Sequence, residues 1–67
     1  STDYPQAAYN VVKTKKFPVK PMSVDEAVMQ MEMLNHEFFM FVNEETSVMN
    51  VVYKRKDGDY GLLVPYE

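Results

Sequence analysis

The chain lacks several residue types, and each absence narrows the chemistry that can stabilise it. Its 67 residues include no cysteine, no tryptophan and a single histidine. Disulfides are therefore excluded, a zinc site is not expected, and the composition suits a reducing compartment. No run of about 18 apolar residues occurs, so no membrane-spanning helix is predicted, and no segment resembles a signal peptide.

Hydrophobic residues make up 46% of the chain, which predicts one small folded domain rather than a disordered segment. A domain of this length buries only roughly 60% of the surface of its unfolded chain, so its own core is marginal. Short domains without disulfides or metal commonly gain stability by oligomerisation. We interpret residues 1–9 as a linker remnant from a longer protein and residues 10–67 as the domain.

Charge is unevenly distributed along the chain, whose net charge is −3. Residues 22–49 carry six acidic and no basic residues, so the domain as a whole is a poor electrostatic match for phosphate backbones. Two short basic groups are nevertheless candidates for RNA contact. Their simpler interpretation is as solvated charges on a sheet edge and at strand ends, so direct nucleic-acid contact is not expected. The first basic group is Lys13, Lys15 and Lys16, and the second is Lys54, Arg55 and Lys56.

Catalytic, metal and cofactor sites are not predicted. The only histidine, His36, follows the predicted helix, where it is interpreted as part of the helix end. The sequence Asp57-Gly58-Asp59 lacks the further ligands and the closing glutamate of a calcium loop. The two glycines form no phosphate-binding motif. An enzyme would need a nucleophile or an acid–base pair held in a pocket, and the sequence indicates neither.

Residues 37–64 predict three antiparallel strands, because runs of aromatic and β-branched residues are separated by turn-forming residues. Asp57-Gly58 indicates a two-residue type I′ turn, which fixes the second hairpin. The loop of the first hairpin is irregular, and a one-residue slip there would exchange the two faces. The preferred cross-strand pairs are Phe38–Tyr53, Met40–Val51, Tyr53–Leu62 and Val52–Leu63.

Both faces of this predicted sheet are apolar, since successive side chains point to opposite sides. An antiparallel sheet usually has one solvated face, but here both faces need cover. One helix can cover one face, and a second copy of the chain can cover the other. An alternative that places Phe39 and Phe41 in the interface stays open. The preferred homodimer interface comprises Phe38, Met40, Val51, Tyr53 and Leu62.

One helix is predicted to begin at Ser23, which forms a capping box with Glu26. Asn35 ends it, because asparagine adopts the left-handed conformation that follows many helices. The apolar stripe of this helix is expected to pack on Phe39, Phe41, Val52 and Leu63. The stripe comprises Val24, Ala27, Val28, Met31 and Leu34.

Residues 10–17 predict a fourth strand, at the edge of the sheet. Lysines within this segment, and Pro18 and Pro21 after it, are typical protections of a sheet edge. The predicted fold is therefore α+β in the order β-α-β-β-β, with one helix packed on a four-stranded, mostly antiparallel sheet. Through its other face the sheet is expected to form a homodimer, and exchange of the first strand between protomers is left open.

Four segments together resemble a known family. They lie at 12–17, 20–27, 31–39 and 50–62, and the last reads Asn-Val-Val-Tyr-Lys-Arg-Lys-Asp-Gly-Asp-Tyr-Gly-Leu. In this order they are similar to the C-terminal domain of long-form ribosome hibernation promoting factors, including plastid-specific ribosomal proteins. The resemblance covers about residues 10–64.

The resemblance implies a non-catalytic homodimerisation domain, joined by a linker to an N-terminal domain on the small ribosomal subunit. Two such factors would join two ribosomes into an inactive pair and so lower translation under stress. The implied location is the cytoplasm, or the plastid stroma in a photosynthetic eukaryote, with no membrane partner. Two alternatives act as a monomer: a domain that docks on ribosomal RNA, and a peptide-binding domain.

Overall fold

A computed structural model describes residues 8–66 and contains one helix and one four-stranded sheet within that range. The sheet order is β1-β2-β3-β4, with β1 parallel to β2 and the other pairs antiparallel. The predicted α+β fold and its element order are thereby confirmed. In chain order the elements are β1 (Pro21–Met22), α1 (Val24–Met33), β2 (Phe38–Asn43), β3 (Val48–Lys54) and β4 (Tyr60–Leu63).

Helix α1 begins and ends at the predicted residues, but only half of the predicted capping box forms, because the Glu26 carboxylate is hydrogen-bonded to Gln30 instead of to the Ser23 amide. The Ser23 side chain accepts a hydrogen bond from the Glu26 amide at 3.1 Å, while the Glu26 carboxylate accepts one from Gln30 Nε2 at 3.0 Å. At the other end Asn35 has a φ of 56°. The Asn35 and His36 amides donate to the carbonyls of Glu32 and Met31, which is the Schellman pattern. The helix therefore stops where the chain turns back to enter β2.

The hydrophobic core lies between α1 and one face of β2 and β3. It consists of Ala27, Met31, Phe41 and Val52, each at most 1% exposed. The predicted stripe is confirmed except at Leu34, which is half exposed. Leu34 occupies the C-cap, where the helix is already ending, so its side chain lies outside the core. Around the core pack Met22, Val24, Val28 and Phe39.

The prediction of a strand at 10–17 is wrong, and β1 is instead two residues long. The carbonyls of Lys20 and Met22 accept hydrogen bonds from β2 and the residue after it, so even-numbered residues of this segment face β2. Pro18 would be the next residue to face β2, and it has no N–H to donate. Parallel pairing therefore stops, and the upstream residues 8–20 run outside the sheet with Val11 and Val12 exposed.

The register of the first hairpin is confirmed, with Phe38 opposite Tyr53 and Met40 opposite Val51.

No helix in the described residues is long and apolar enough to cross a membrane. Of the predicted linker remnant, residues 1–7 lie outside the described part of the chain.

The predicted register of the second hairpin is wrong by one residue. Val52 lies opposite Leu62, and Val51 lies opposite Leu63. The loop contains three residues, 56–58, because the Arg55 amide donates to the Asp59 carbonyl across its base. Only Gly58 in this loop has a positive φ, of 92°. This is a type I turn followed by a left-handed glycine, whereas a type I′ turn needs positive φ at both central residues.

Candidate protein-interaction surface

The sheet face opposite α1, here called the open face, carries seven apolar side chains from β2, β3 and β4, and Pro21 of β1 lies beside Val42 on the same side. Phe39, Phe41 and Val52 point toward the helix, so their neighbours along each strand point away from it. None of the strand residues on this face is charged, although Lys13, Lys15 and Lys16 line a groove together with Phe38 and Met40. The seven members of the open face are Phe38, Met40, Val42, Met49, Val51, Tyr53 and Leu63.

Exposure on this face is high for large apolar residues. Phe38 and Leu63 are each 55% exposed, and Met49 is 44% exposed. The remaining four members are half-buried by their neighbours in the sheet. A contiguous apolar surface of this kind, framed by polar turns, is typical of a protein-interaction site. Its side chains offer contact area rather than reactive groups.

Gly61, on the edge strand β4, determines how the Tyr53 ring lies on the open face. It lies opposite Tyr53 on β3, and a Cβ at this position would overlap the Tyr53 ring. Because glycine has no side chain, the ring lies across β4 instead of standing away from the sheet. The aromatic ring thus presents a broad surface between Phe38 on one side and the β4 backbone on the other.

The structure places Phe38, Met40, Val51 and Tyr53 together on the open face, as the predicted strand pattern required. Leu62 does not lie there: it pairs with Val52 and therefore shares the helix face. Leu63 takes its place, since the longer loop moves β4 by one residue. The prediction that Leu63 packs under the helix is wrong, because it assigned the Asp57-Gly58 turn to the two-residue type. Asp57 was the available signal, since its Oδ1 accepts a hydrogen bond from the Asp59 amide at 3.0 Å within the longer loop.

Most of the second basic group is engaged in ion pairs. Lys54 Nζ lies 3.2 Å from Glu32 Oε1, and Arg55 Nε lies 3.1 Å from Asp57 Oδ2. Tyr60 also donates its hydroxyl to Glu32, so α1 is connected to both β3 and β4. The hydrogen bond from Tyr60, and then that from Lys54, lower the pKa of the Glu32 carboxyl below its usual value. Glu32 in turn raises the pKa of Lys54.

The two basic groups do not meet in one site. Lys54, Arg55 and Lys56 line a shallow depression at the β3–β4 turn. The first group lies on the exposed segment before β1. There it lines one side of a groove of about 950 Å³, whose other side includes the end of α1 and the start of β2. The lysines of that first group are Lys13, Lys15 and Lys16.

Residues 6–62 match the family described as Sigma 54 modulation/S30EA ribosomal protein C terminus. The chain is 50% identical over 62 residues to a ribosome hibernation promotion factor of Bacillus subtilis, covering 92% of this chain and 33% of that protein. A ribosome hibernation promotion factor of Staphylococcus aureus is 45% identical over 60 residues, with 90% and 32% covered.

A plant protein shows similar identity. The chloroplastic ribosome-binding factor PSRP1 of Spinacia oleracea is 51% identical over 55 residues, which cover 82% of this chain and 18% of that protein. The chain thus spans about a third of the length of the two bacterial relatives and less of the plant relative. These matches confirm the resemblance predicted from the sequence.

Proposed function

The chain belongs to the Sigma 54 modulation/S30EA ribosomal protein C terminus family, and from this premise we propose that it is the homodimerisation module of a ribosome hibernation factor. In this role it is non-catalytic. Two copies, each belonging to a factor bound to its own ribosome, join the two ribosomes into an inactive pair. Translation is lowered as a result. The names of the bacterial relatives support the connection with hibernation, and that of the plant relative supports ribosome binding.

The observation that carries the proposal is the open face. Helix α1 has ten residues and covers the opposite side of the sheet, so it leaves this face without a partner in the described part of the chain. Burying a side chain such as Phe38 contributes roughly 1.5–3 kcal/mol. In a twofold dimer each such residue is buried twice, because both copies present the same patch.

The geometry of the face suits a second copy. Its strand residues present apolar side chains, which are self-complementary in polarity when two copies of the face meet. Two sheets packed face to face lie about 10 Å apart, with side chains from both inner faces between them. The proposed assembly is therefore a four-layer stack in the order helix, sheet, sheet, helix.

Sedimentation of the isolated chain across a range of concentrations tests this proposal. The wild-type chain is expected to sediment as a dimer, and Phe38→Lys is expected to sediment as a folded monomer because two lysines would be buried in the interface. Met33→Lys is the matched control, since Met33 is 72% exposed at the end of α1, away from the open face. A Phe38→Lys chain that dimerises as tightly as wild type would refute the proposed interface.

A second candidate function, docking on ribosomal RNA as a monomer, is favoured by the exposure of Lys13, Lys15 and Lys16. These side chains project from a segment outside the sheet, where phosphates are accessible to them. Their replacement by glutamine is then expected to weaken binding to isolated ribosomal RNA and to flatten its salt dependence by about one unit of slope per lysine. Titration at two salt concentrations measures this. Unchanged binding by the triple variant would exclude the candidate.

A further inference from the structure

Two asparagine side chains are buried at the end of the first hairpin, where apolar residues would be expected. Asn50 is 2% exposed and Asn43 is 8% exposed. Asn43 Nδ2 donates to Asn50 Oδ1 at 2.9 Å, and Asn50 Nδ2 donates to the Met49 carbonyl at 2.8 Å. Asn43 Oδ1 accepts from the Glu45 amide at 3.0 Å. Both amide groups are therefore paired inside the fold.

Apolar burial alone does not select the register of this hairpin. The helix face of β3 carries Val48 and Val52 besides Asn50 and Lys54, while its open face carries Met49, Val51 and Tyr53. A slip of one residue between β2 and β3 would turn the second set toward the helix. Apolar side chains would then still face the helix, and the exposed ion pair between Lys54 and Glu32, which the slip would break, contributes little to stability.

The amide pair responds differently to the same slip. Asn50 would move to the open face, and Asn43 would stay in the interior without the partner that accepts its Nδ2 hydrogen bond. A buried polar group that loses its partner keeps its full desolvation penalty. The pair therefore distinguishes two registers that the apolar residues do not.

The connecting loop does not supply this discrimination. Residues 44–47 follow Asn43, whose carbonyl accepts from the amides of both Thr46 and Ser47. Ser47 has a φ of 61°, in the region that favours glycine. Ser47 thus adopts a backbone conformation that is unfavourable for a residue with a side chain. Other contacts must therefore fix the register of the hairpin.

We infer that the Asn43–Asn50 pair sets the register of the first hairpin and so determines which apolar side chains form the open face. The two residues are positioning residues: they lie on the helix side and do not belong to the proposed interface. The expected effect on dimerisation rests on the proposed function. The effect on the register of the hairpin does not depend on it.

The test replaces both amides, in the double variant Asn43→Leu/Asn50→Leu. We expect it to remain folded but to show more than one set of backbone amide signals for β2 and β3 in two-dimensional NMR. Cross-strand Hα contacts of the pairs Phe38–Tyr53 and Met40–Val51 should weaken, and the dimer Kd should rise roughly tenfold or more. The control Glu44→Leu/Thr46→Leu adds apolar side chains to the same hairpin without changing either amide, and it should keep one set of signals.

If the double variant fails to fold, an added disulfide bond tests whether loss of the native register is the reason. Val42 and Met49 lie opposite each other in a non-hydrogen-bonded pair, where the short Cα separation suits a disulfide. Because the chain has no other cysteine, adding Val42→Cys/Met49→Cys to the double variant should restore the native register and fold. A disulfide-bonded chain that stays unfolded overturns the inference.

A double variant with a single set of signals, native cross-strand contacts and wild-type dimerisation also overturns the inference, since the amides would then only fill space. The two proposals fail separately. A wild-type chain that is monomeric at every concentration would end the homodimer proposal, while the NMR signals would still report the register of the hairpin.

Discussion

The two faces of the sheet both carry apolar side chains from β2, β3 and β4, yet these side chains differ in burial. On the helix face, Phe41 is fully buried and Val52 is 1% exposed. On the open face, Phe38, only three residues before Phe41, is 55% exposed. The difference arises because one ten-residue helix covers one face. Hydrophobicity along a strand therefore indicates how much cover the sheet needs, and the available elements decide which face receives it.

The largest expected effect lies on the covered face. Phe41→Ala removes a fully buried ring between α1 and β3, and we expect it to lower the free energy of unfolding by about 3–5 kcal/mol. Chemical denaturation measures this loss. The matched variant Phe38→Ala should change the unfolding free energy of the monomer by less than about 1 kcal/mol at dilute concentration. Equal losses in the two variants would contradict the distinction between the faces.

A smaller effect is expected at Gly61, which lies under the Tyr53 ring on the open face. Gly61→Ala places a methyl group where the Tyr53 ring lies, so the ring must move. Because the displaced atoms are the end of one side chain, we expect the free energy of unfolding to change by no more than about 1 kcal/mol. We expect dimerisation to weaken, because the ring belongs to the proposed interface. Sedimentation separates the two effects. In a Tyr53→Ala background, Gly61→Ala should add little further change, since the clash is absent; an undiminished effect there would exclude ring displacement as the cause.

The smallest effect is expected at the exposed connection between α1 and the second hairpin. Hydrogen bonds from Tyr60 and Lys54 lower the pKa of Glu32 below its usual value of 4.5. A carboxyl with a lowered folded-state pKa stabilises the fold above its unfolded-state pKa, and this contribution disappears as the pH falls through the folded-state value. Wild type should therefore have a slightly higher Tm than Glu32→Gln at pH 7, and the two should converge as the pH falls through the lowered folded-state pKa of Glu32. A difference that persists in acid would assign the effect to something other than ionisation.

Local features of the fold could be predicted from sequence because they depend on few residues. Ser23 and Asn35 fix the ends of α1 through their own side-chain and backbone preferences. The pairing of Phe38 with Tyr53 followed from matching apolar runs, although the buried amides that favour this register were not recognised. The helix stripe was predicted except at Leu34, where the end of the helix places the side chain outside the core.

Features that depend on pairing partners were less predictable. Residues 10–17 have the composition of an edge strand, but whether they pair depends on an acceptor edge and on the missing N–H of Pro18. Leu62 and Leu63 are chemically identical, so only the number of loop residues decides which of them reaches the open face. The candidate surface was thus predicted in its central strands and misplaced by one residue in β4.

The three-residue loop at 56–58 has a consequence for variation among related sequences. Side chains alternate in β4, so deleting or inserting a single loop residue would rotate the whole strand by half a turn about its axis. Leu62 would then lie on the open face and Leu63 on the helix face. The open face would change although none of its own residues had been substituted. Loop length in this hairpin therefore determines which leucine of β4 lies on the open face.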